Sequence, residues 1–139
     1  MIETFEIVAK AVADPSRVRI LKLLEAGELC VCQVTTVLDL AAATVSKHLA
    51  VLKGAGLVQQ RRDGRWVYYR LAERDLNAYA RSFLQLMAAS LADDPGLAED
   101  RQVLDQINRV PLSILCDQGR AALVPLKEDA ATPCCGSSR

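Results

Sequence analysis

Five cysteines carry the most distinctive chemistry in this sequence of 139 residues: Cys30 and Cys32 one residue apart, Cys116, and the adjacent pair Cys134-Cys135. Thiolate sulfur is a soft donor, suited to arsenic(III), antimony(III), cadmium or lead rather than to magnesium or calcium. Residues two apart in a regular helix point about 200° away from each other, so Cys30 and Cys32 would not share an ion from within a helix. At a helix start, one can belong to the preceding loop, and both can then converge. The competing reading is that both are small buried hydrophobes. Cys134 and Cys135, after Pro133, could close over that pair, form a separate site, or oxidise together. The candidate metal ligands are therefore Cys30, Cys32, Cys134 and Cys135. Cys116, within Leu112-Ser113-Ile114-Leu115-Cys116, reads as a buried filler.

The second chemical feature is charge. The chain as a whole is neutral, with 17 basic and 17 acidic residues. Between positions 41 and 71, however, Lys47, Lys53, Arg61, Arg62, Arg65 and Arg70 face only Asp63, a local balance of +5, whereas positions 93–139 are net acidic at −3. Affinity for DNA comes largely from neutralised phosphates, so a concentrated basic stretch matters more than the total.

These residues need elements to hold them. Phe5, Val8 and Val12 predict a helix over 3–13, and Asp14-Pro15, a cap followed by a proline at the first helical position, opens another over 15–26. Helices over 31–38 and 42–54 follow, joined by a turn at Asp39-Leu40. The period then changes: 57–62 and 66–71 are β-prone runs around Asp63-Gly64, the signature of a tight hairpin. A fifth helix is expected over 73–91 and a weaker one over 97–108; from Pro111 onward, breakers predominate. Helix, turn, helix and basic hairpin together make a mainly α fold with a β-hairpin wing, the winged helix-turn-helix. In that fold Thr44, Ser46, Lys47 and His48 lie where the second helix meets the major groove. Arg61, Arg62 and Arg65 flank the wing turn, and Leu49 and Leu52 face inward. Residues 1–92 form the DNA-binding domain in this reading, and 93–139 a tail with an extra helix and a Cys-Cys end.

The composition is 51% apolar but only 4% aromatic, which predicts a core of Leu, Val, Ile and Ala. No apolar run approaches the ~18 residues of a membrane span. The acidic start Met1-Ile2-Glu3-Thr4-Phe5-Glu6 lacks the order of a signal peptide. A cytoplasmic protein is expected, where cysteines serve as thiols or ligands more often than as structural disulfides. No Cys-x-x-Cys, phosphate loop or acid–base pair suggests an enzyme.

The segments Glu28-Leu29-Cys30-Val31-Cys32, Val45-Ser46-Lys47-His48-Leu49-Ala50-Val51-Leu52-Lys53-Gly54-Ala55-Gly56-Leu57-Val58 and Arg62-Asp63-Gly64-Arg65-Trp66-Val67-Tyr68-Tyr69-Arg70-Leu71 resemble the hallmarks of the ArsR/SmtB metalloregulators, across about residues 3–92. The resemblance implies a homodimeric repressor, joined through its first and last helices. It also implies an inverted-repeat double-stranded DNA operator, released when arsenite, antimonite or methylarsenite binds cysteine. A cadmium- or lead-responsive repressor and a thiol-redox regulator are the alternatives. Two departures from the family pattern stand out. Thr35 occupies the position of a third cysteine in arsenite-responsive relatives, and Ala41-Ala42-Ala43 replaces the polar start of the recognition helix. The expected fifth helix has no histidine, which argues against the zinc site that other relatives carry there.

Overall fold

The computed structural model describes residues 1–74 and 76–123. Helix α1 (Ile2–Val12) packs against α2 (Pro15–Leu24). The connection is capped as the sequence predicts: the Asp14 carboxylate accepts from the amides of Ser16 and Arg17 at 2.8 and 3.2 Å, with Pro15 at the first helical position. Burial pushes the Asp14 carboxyl up, but those two amides and the nearby Arg17 charge outweigh it and leave the group below its ordinary 3.8.

Helices α3 (Val31–Leu38) and α4 (Ala42–Gly54) occupy the expected spans and meet at 114°, within the range of a helix-turn-helix. Asp39 makes the turn in the left-handed region, φ 57°, a conformation that a short polar side chain tolerates. Ala41 caps α4 without any side-chain hydrogen bond. The α4 residues Val45, Leu49 and Leu52 are fully buried, so the opposite face, with Thr44, Ser46 and Lys47, is exposed.

Strands β2 (Val58–Asp63) and β3 (Trp66–Leu71) form the hairpin, with Asp63 opposite Trp66 across the loop Gly64-Arg65. Gly64 has φ 61° while Arg65 does not share the positive region, the pattern that places glycine first in a type II′ turn. A third strand not foreseen from sequence, β1 (Leu29–Cys30), pairs antiparallel with β3, Leu29 opposite Tyr69 and Cys30 opposite Tyr68. The sheet order is β1-β3-β2. Two strands alone are marginal in water; here the ribbon is held at its root by β1 and by the buried Leu57, Val58 and Tyr69.

Helix α5 (Ala78–Ala89) starts later than the expected residue 73, because Asn77 supplies its cap, the side-chain oxygen accepting from Ala80 at 2.8 Å. Its end is closed from outside. The Lys22 ammonium, 7% exposed, donates to the carbonyls of Met87 and Ser90, a cation placed at the negative end of the helix.

The helix expected over 97–108 is α6 (Pro95–Ile107), and a further short helix, α7 (Leu112–Gln118), runs into a 3₁₀ turn over Gly119–Leu123. These elements share the core rather than lying apart from it. Helix α6 packs on α2 and α3, α7 and the 3₁₀ turn pack on α3, and Leu104, Ile107, Leu115 and Leu123 are buried. Buried Asp100 of α6 receives two hydrogen bonds of 2.9 Å from the Arg19 guanidinium of α2, and this carboxylate raises the pKa of Arg19. The core is aliphatic, as the composition predicts, with Tyr69 the one aromatic ring among the buried residues described. Among the described residues, no single helix is long and apolar enough to cross a membrane.

Candidate metal centre and nucleic-acid interface

The convergence expected of Cys30 and Cys32 is present and has a simple structural origin. Cys30 ends β1 and caps α3 with extended backbone (φ −74°, ψ 149°), whereas Cys32 lies in the helix's first turn. The change of backbone between them removes the helical divergence of their side chains. The Gln33 side chain fixes the entry by accepting from the Cys30 amide at 2.8 Å. Cys30 is buried and Cys32 half-buried.

A third sulfur beside this pair is one the sequence did not mark. Cys116 reads as a buried filler, but in the structure it is half-buried, and its sulfur is bonded to that of Cys32. The ligating atoms of Cys30, Cys32 and Cys116 all lie within 4.8 Å of one another. Cys116 is separated from Cys32 by 84 positions, and no local motif marks it. The only available signal was its place on the apolar run that α7 presents to α3. Thr35, where a third cysteine of the α3 motif would stand, offers no soft donor; its hydroxyl is buried without a hydrogen-bond partner. Cys134 and Cys135 lie outside the described residues.

The three sulfurs open into a cleft of about 460 Å³, whose walls also include Ser46 of α4 and Arg65, Trp66 and Val67 of the wing. One cavity thus joins the thiols to both elements of the basic surface. A bond from a metal to sulfur is about 2.3 Å long, so three ligands around one ion sit roughly 3.5–4 Å apart. The three sulfurs lie within 4.8 Å of one another, and with Cys32 and Cys116 bonded the set takes that spacing only after reduction. Three sulfurs and no imidazole make a soft, thiophilic donor set.

On the basic surface, Thr44, Ser46 and Lys47 project from α4, and Arg62 and Arg65 from the wing, all exposed. The Arg65 guanidinium stacks on Trp66, 4.5 Å from the ring centroid. Arg61 is more constrained. It lies over Tyr68 at 4.5 Å and grips Glu28 with two hydrogen bonds, of 3.0 and 2.6 Å. That guanidinium holds the Glu28 carboxyl below the usual carboxylate range. His48 is half-buried, its Nδ1 3.2 Å from the Arg17 guanidinium, which also donates to the carbonyls of Ala11 and Lys10. This geometry uses His48 to pack α4 against the α1–α2 corner.

A family model described as bacterial regulatory protein, arsR family, matches residues 14–60. The arsenic resistance transcriptional regulator ArsR2 of Pseudomonas putida is 34% identical over 112 residues, covering 78% of this chain and 95% of that protein. The chain belongs to the ArsR family. A second P. putida regulator of this family, the arsenic resistance transcriptional regulator ArsR1, is 50% identical over 66 residues, 47% of this chain; the match spans about half of that relative, 52%. Among solved structures, the homodimeric winged helix-turn-helix DNA-binding domain of Mb0332 from Mycobacterium bovis aligns at a TM-score of 0.55 and 36% identity, covering 63% of this chain and 79% of that one. The fold is therefore a winged helix-turn-helix of the ArsR type, and the comparisons place the chain among regulators, not enzymes.

Proposed function

We propose that this chain is a cytoplasmic, homodimeric transcriptional repressor that binds an inverted-repeat operator and releases it when trivalent arsenic or antimony is bound by the thiolates of Cys30 and Cys32. The observation that carries this reading is the shared cleft: Cys30 and Cys32 line the same cavity as Ser46 of the recognition helix and Arg65 of the wing.

On DNA, the exposed face of α4 enters the major groove with Thr44, Ser46 and Lys47, and Arg62 and Arg65 reach the flanking backbone. Arg61 joins them by exchanging Glu28 for a phosphate. Dimerisation uses α1 and α5, where Ile2, Phe5, Ile7 and Leu86 are between 48% and 84% exposed despite their apolar side chains. Phe5 already bridges the two helices, edge-on to Tyr79 at 5.5 Å.

Two routes lead from the thiols to these surfaces. Cys32 sits on α3, which sets the direction of α4 through the Asp39 turn. Cys30 sits on β1, hydrogen-bonded to the wing strand β3. Drawing the sulfurs around an ion shifts both anchors at once. A coupling of 1–3 kcal/mol between ion and operator corresponds to about 5- to 150-fold weaker DNA binding. Methylarsenite, which needs only two thiolates, fits the Cys30–Cys32 pair. Cadmium or lead, with a preference for more donors, would draw on Cys134 and Cys135.

The test is a gel shift of reduced protein on a duplex selected for tight binding from a random pool, titrated with arsenite or antimonite. Release is expected from wild type and not from Cys30→Ser or Cys32→Ser; undiminished release from both variants refutes the assignment. The Cys32–Cys116 bond favours a second reading, a thiol-redox regulator, in which peroxide alone, without metalloid, dissociates the complex.

A further inference from the structure

We infer that Cys116 is the third ligand of the inducer site. Trivalent arsenic would then staple α7 onto α3, and the Cys32–Cys116 disulfide would be the oxidised state that excludes it. The inference rests on the reading above that a trivalent metalloid is the inducer, and adds a ligand from outside the helix-turn-helix.

The placement of α7 supports it. The segment 112–123 is fastened to α3 at two points. Within α7, the Cys116 sulfur meets that of Cys32, and Leu115 beside it is buried. At the end, the Arg120 guanidinium donates to the carbonyls of Thr36 and Val37 at 2.9 and 3.0 Å, closing the C-terminus of α3, and lies 3.5 Å from the Asp39 carboxylate at the helix-turn-helix corner. Arg120 therefore sets α7 in register with α3 independently of sulfur chemistry. That anchor would keep Cys116 opposite Cys32 and Cys30 with the disulfide reduced. Three thiols held this way suit a pyramidal trivalent centre, which Cys30 and Cys32 alone leave one bond short, since Thr35 is not a substitute.

The chemistry balances in both states. Arsenous acid and the three thiols exchange three As–O and three S–H bonds for three As–S bonds, releasing three waters, with arsenic remaining trivalent. In the competing reaction hydrogen peroxide accepts two electrons from Cys32 and Cys116; the S–S bond forms, both S–H bonds break, and two waters leave. Two of the three donors are then consumed, so the protein can be read by metalloid only while reduced.

The experiment uses full-length protein with arsenite as the probe. X-ray absorption should count three sulfurs around arsenic in reduced wild type and in the double variant Cys134→Ser/Cys135→Ser, but two in Cys116→Ser. The last should also bind arsenite on the order of 10²-fold more weakly, as loss of one arm of a chelate does. In unmutated protein, where no folding defect intervenes, arsenite should protect Cys116 from alkylation by N-ethylmaleimide, read by mass spectrometry. Peroxide-treated protein should lose arsenite binding and regain it with a thiol reductant. Three sulfurs persisting in Cys116→Ser, alkylation of Cys116 at saturating arsenite, or full binding by the disulfide form each overturn the inference. If Cys116→Ser still gives two sulfurs and arsenite-driven operator release, the proposed function stands; release surviving in Cys30→Ser and Cys32→Ser removes that function instead.

Discussion

The segment 31–71 and the segment 95–123 are built on opposite plans. The first keeps one face for itself and offers the other to a partner: Val45, Leu49 and Leu52 are fully buried, while Thr44, Ser46, Lys47, Arg62 and Arg65 stand in solvent. The second turns two of its charged groups inward on the rest of the chain, Asp100 on Arg19 and Arg120 on the end of α3. It also delivers a sulfur to Cys32. The contrast separates a surface meant to bind from a brace meant to hold, and the thiol cluster sits on the line between them. Under the proposed function, a change at the cluster would reach the reading surface because the brace gives α3 something to move against.

Substitutions should sort cleanly between the two plans. The largest stability effect is expected in the brace. Arg19→Ala leaves the buried Asp100 carboxylate without its two hydrogen bonds and should destabilise the fold by about 2 kcal/mol, less than for a fully enclosed pair because Arg19 is 34% exposed. Urea unfolding should show the loss, and the salt dependence of DNA binding should not change. Lys47→Ala should do the reverse. Its urea midpoint stays put, while the slope of log affinity against log salt shrinks by about 1, the signature of one lost phosphate contact. If Lys47→Ala lowered stability and left that slope intact, the face it occupies would belong to the brace after all.

Smaller effects come from the helix starts that frame the reading segment. Ala41→Ser supplies the missing cap of α4 and should add up to about 1 kcal/mol, whereas Asp14→Ala should cost about as much at α2. The Asp14 carboxyl lies below its ordinary 3.8 in the fold, so its contribution is complete above about pH 4 and fades as pH falls through the folded value. The Asp14→Ala variant should therefore differ from wild type in thermal midpoint at pH 6, and the gap should close in acid. A gap that widened in acid would mean the carboxylate is not what stabilises the cap.

Most of the reading segment could be seen in the sequence because its determinants are local. Asp14-Pro15 marks a helix start, Asp63-Gly64 a turn, and the spacing of Leu49 and Leu52 an inward face, each within a few residues. What escaped is non-local or too short to carry a period. Strand β1 is two residues long and exists because β3 is there to pair with it. Helix α7 has seven residues between Pro111 and Gly119, where the breakers dominate the pattern. Cys116 meets Cys32 only after α7 has docked, so that proximity could not be read from spacing. Arg61 likewise looks like a phosphate-seeking wing residue until Glu28 is found within hydrogen-bonding distance.

The most direct test of the coupling between thiols and reading surface is arsenite affinity, measured by calorimetry on reduced full-length protein, once free and once saturated with a tightly binding duplex. Linkage requires that an inducer which weakens DNA binding be itself weakened by DNA to the same extent. Arsenite should bind the DNA complex about 5- to 150-fold more weakly than the free dimer. Equal affinity in the two states would rule the coupling out.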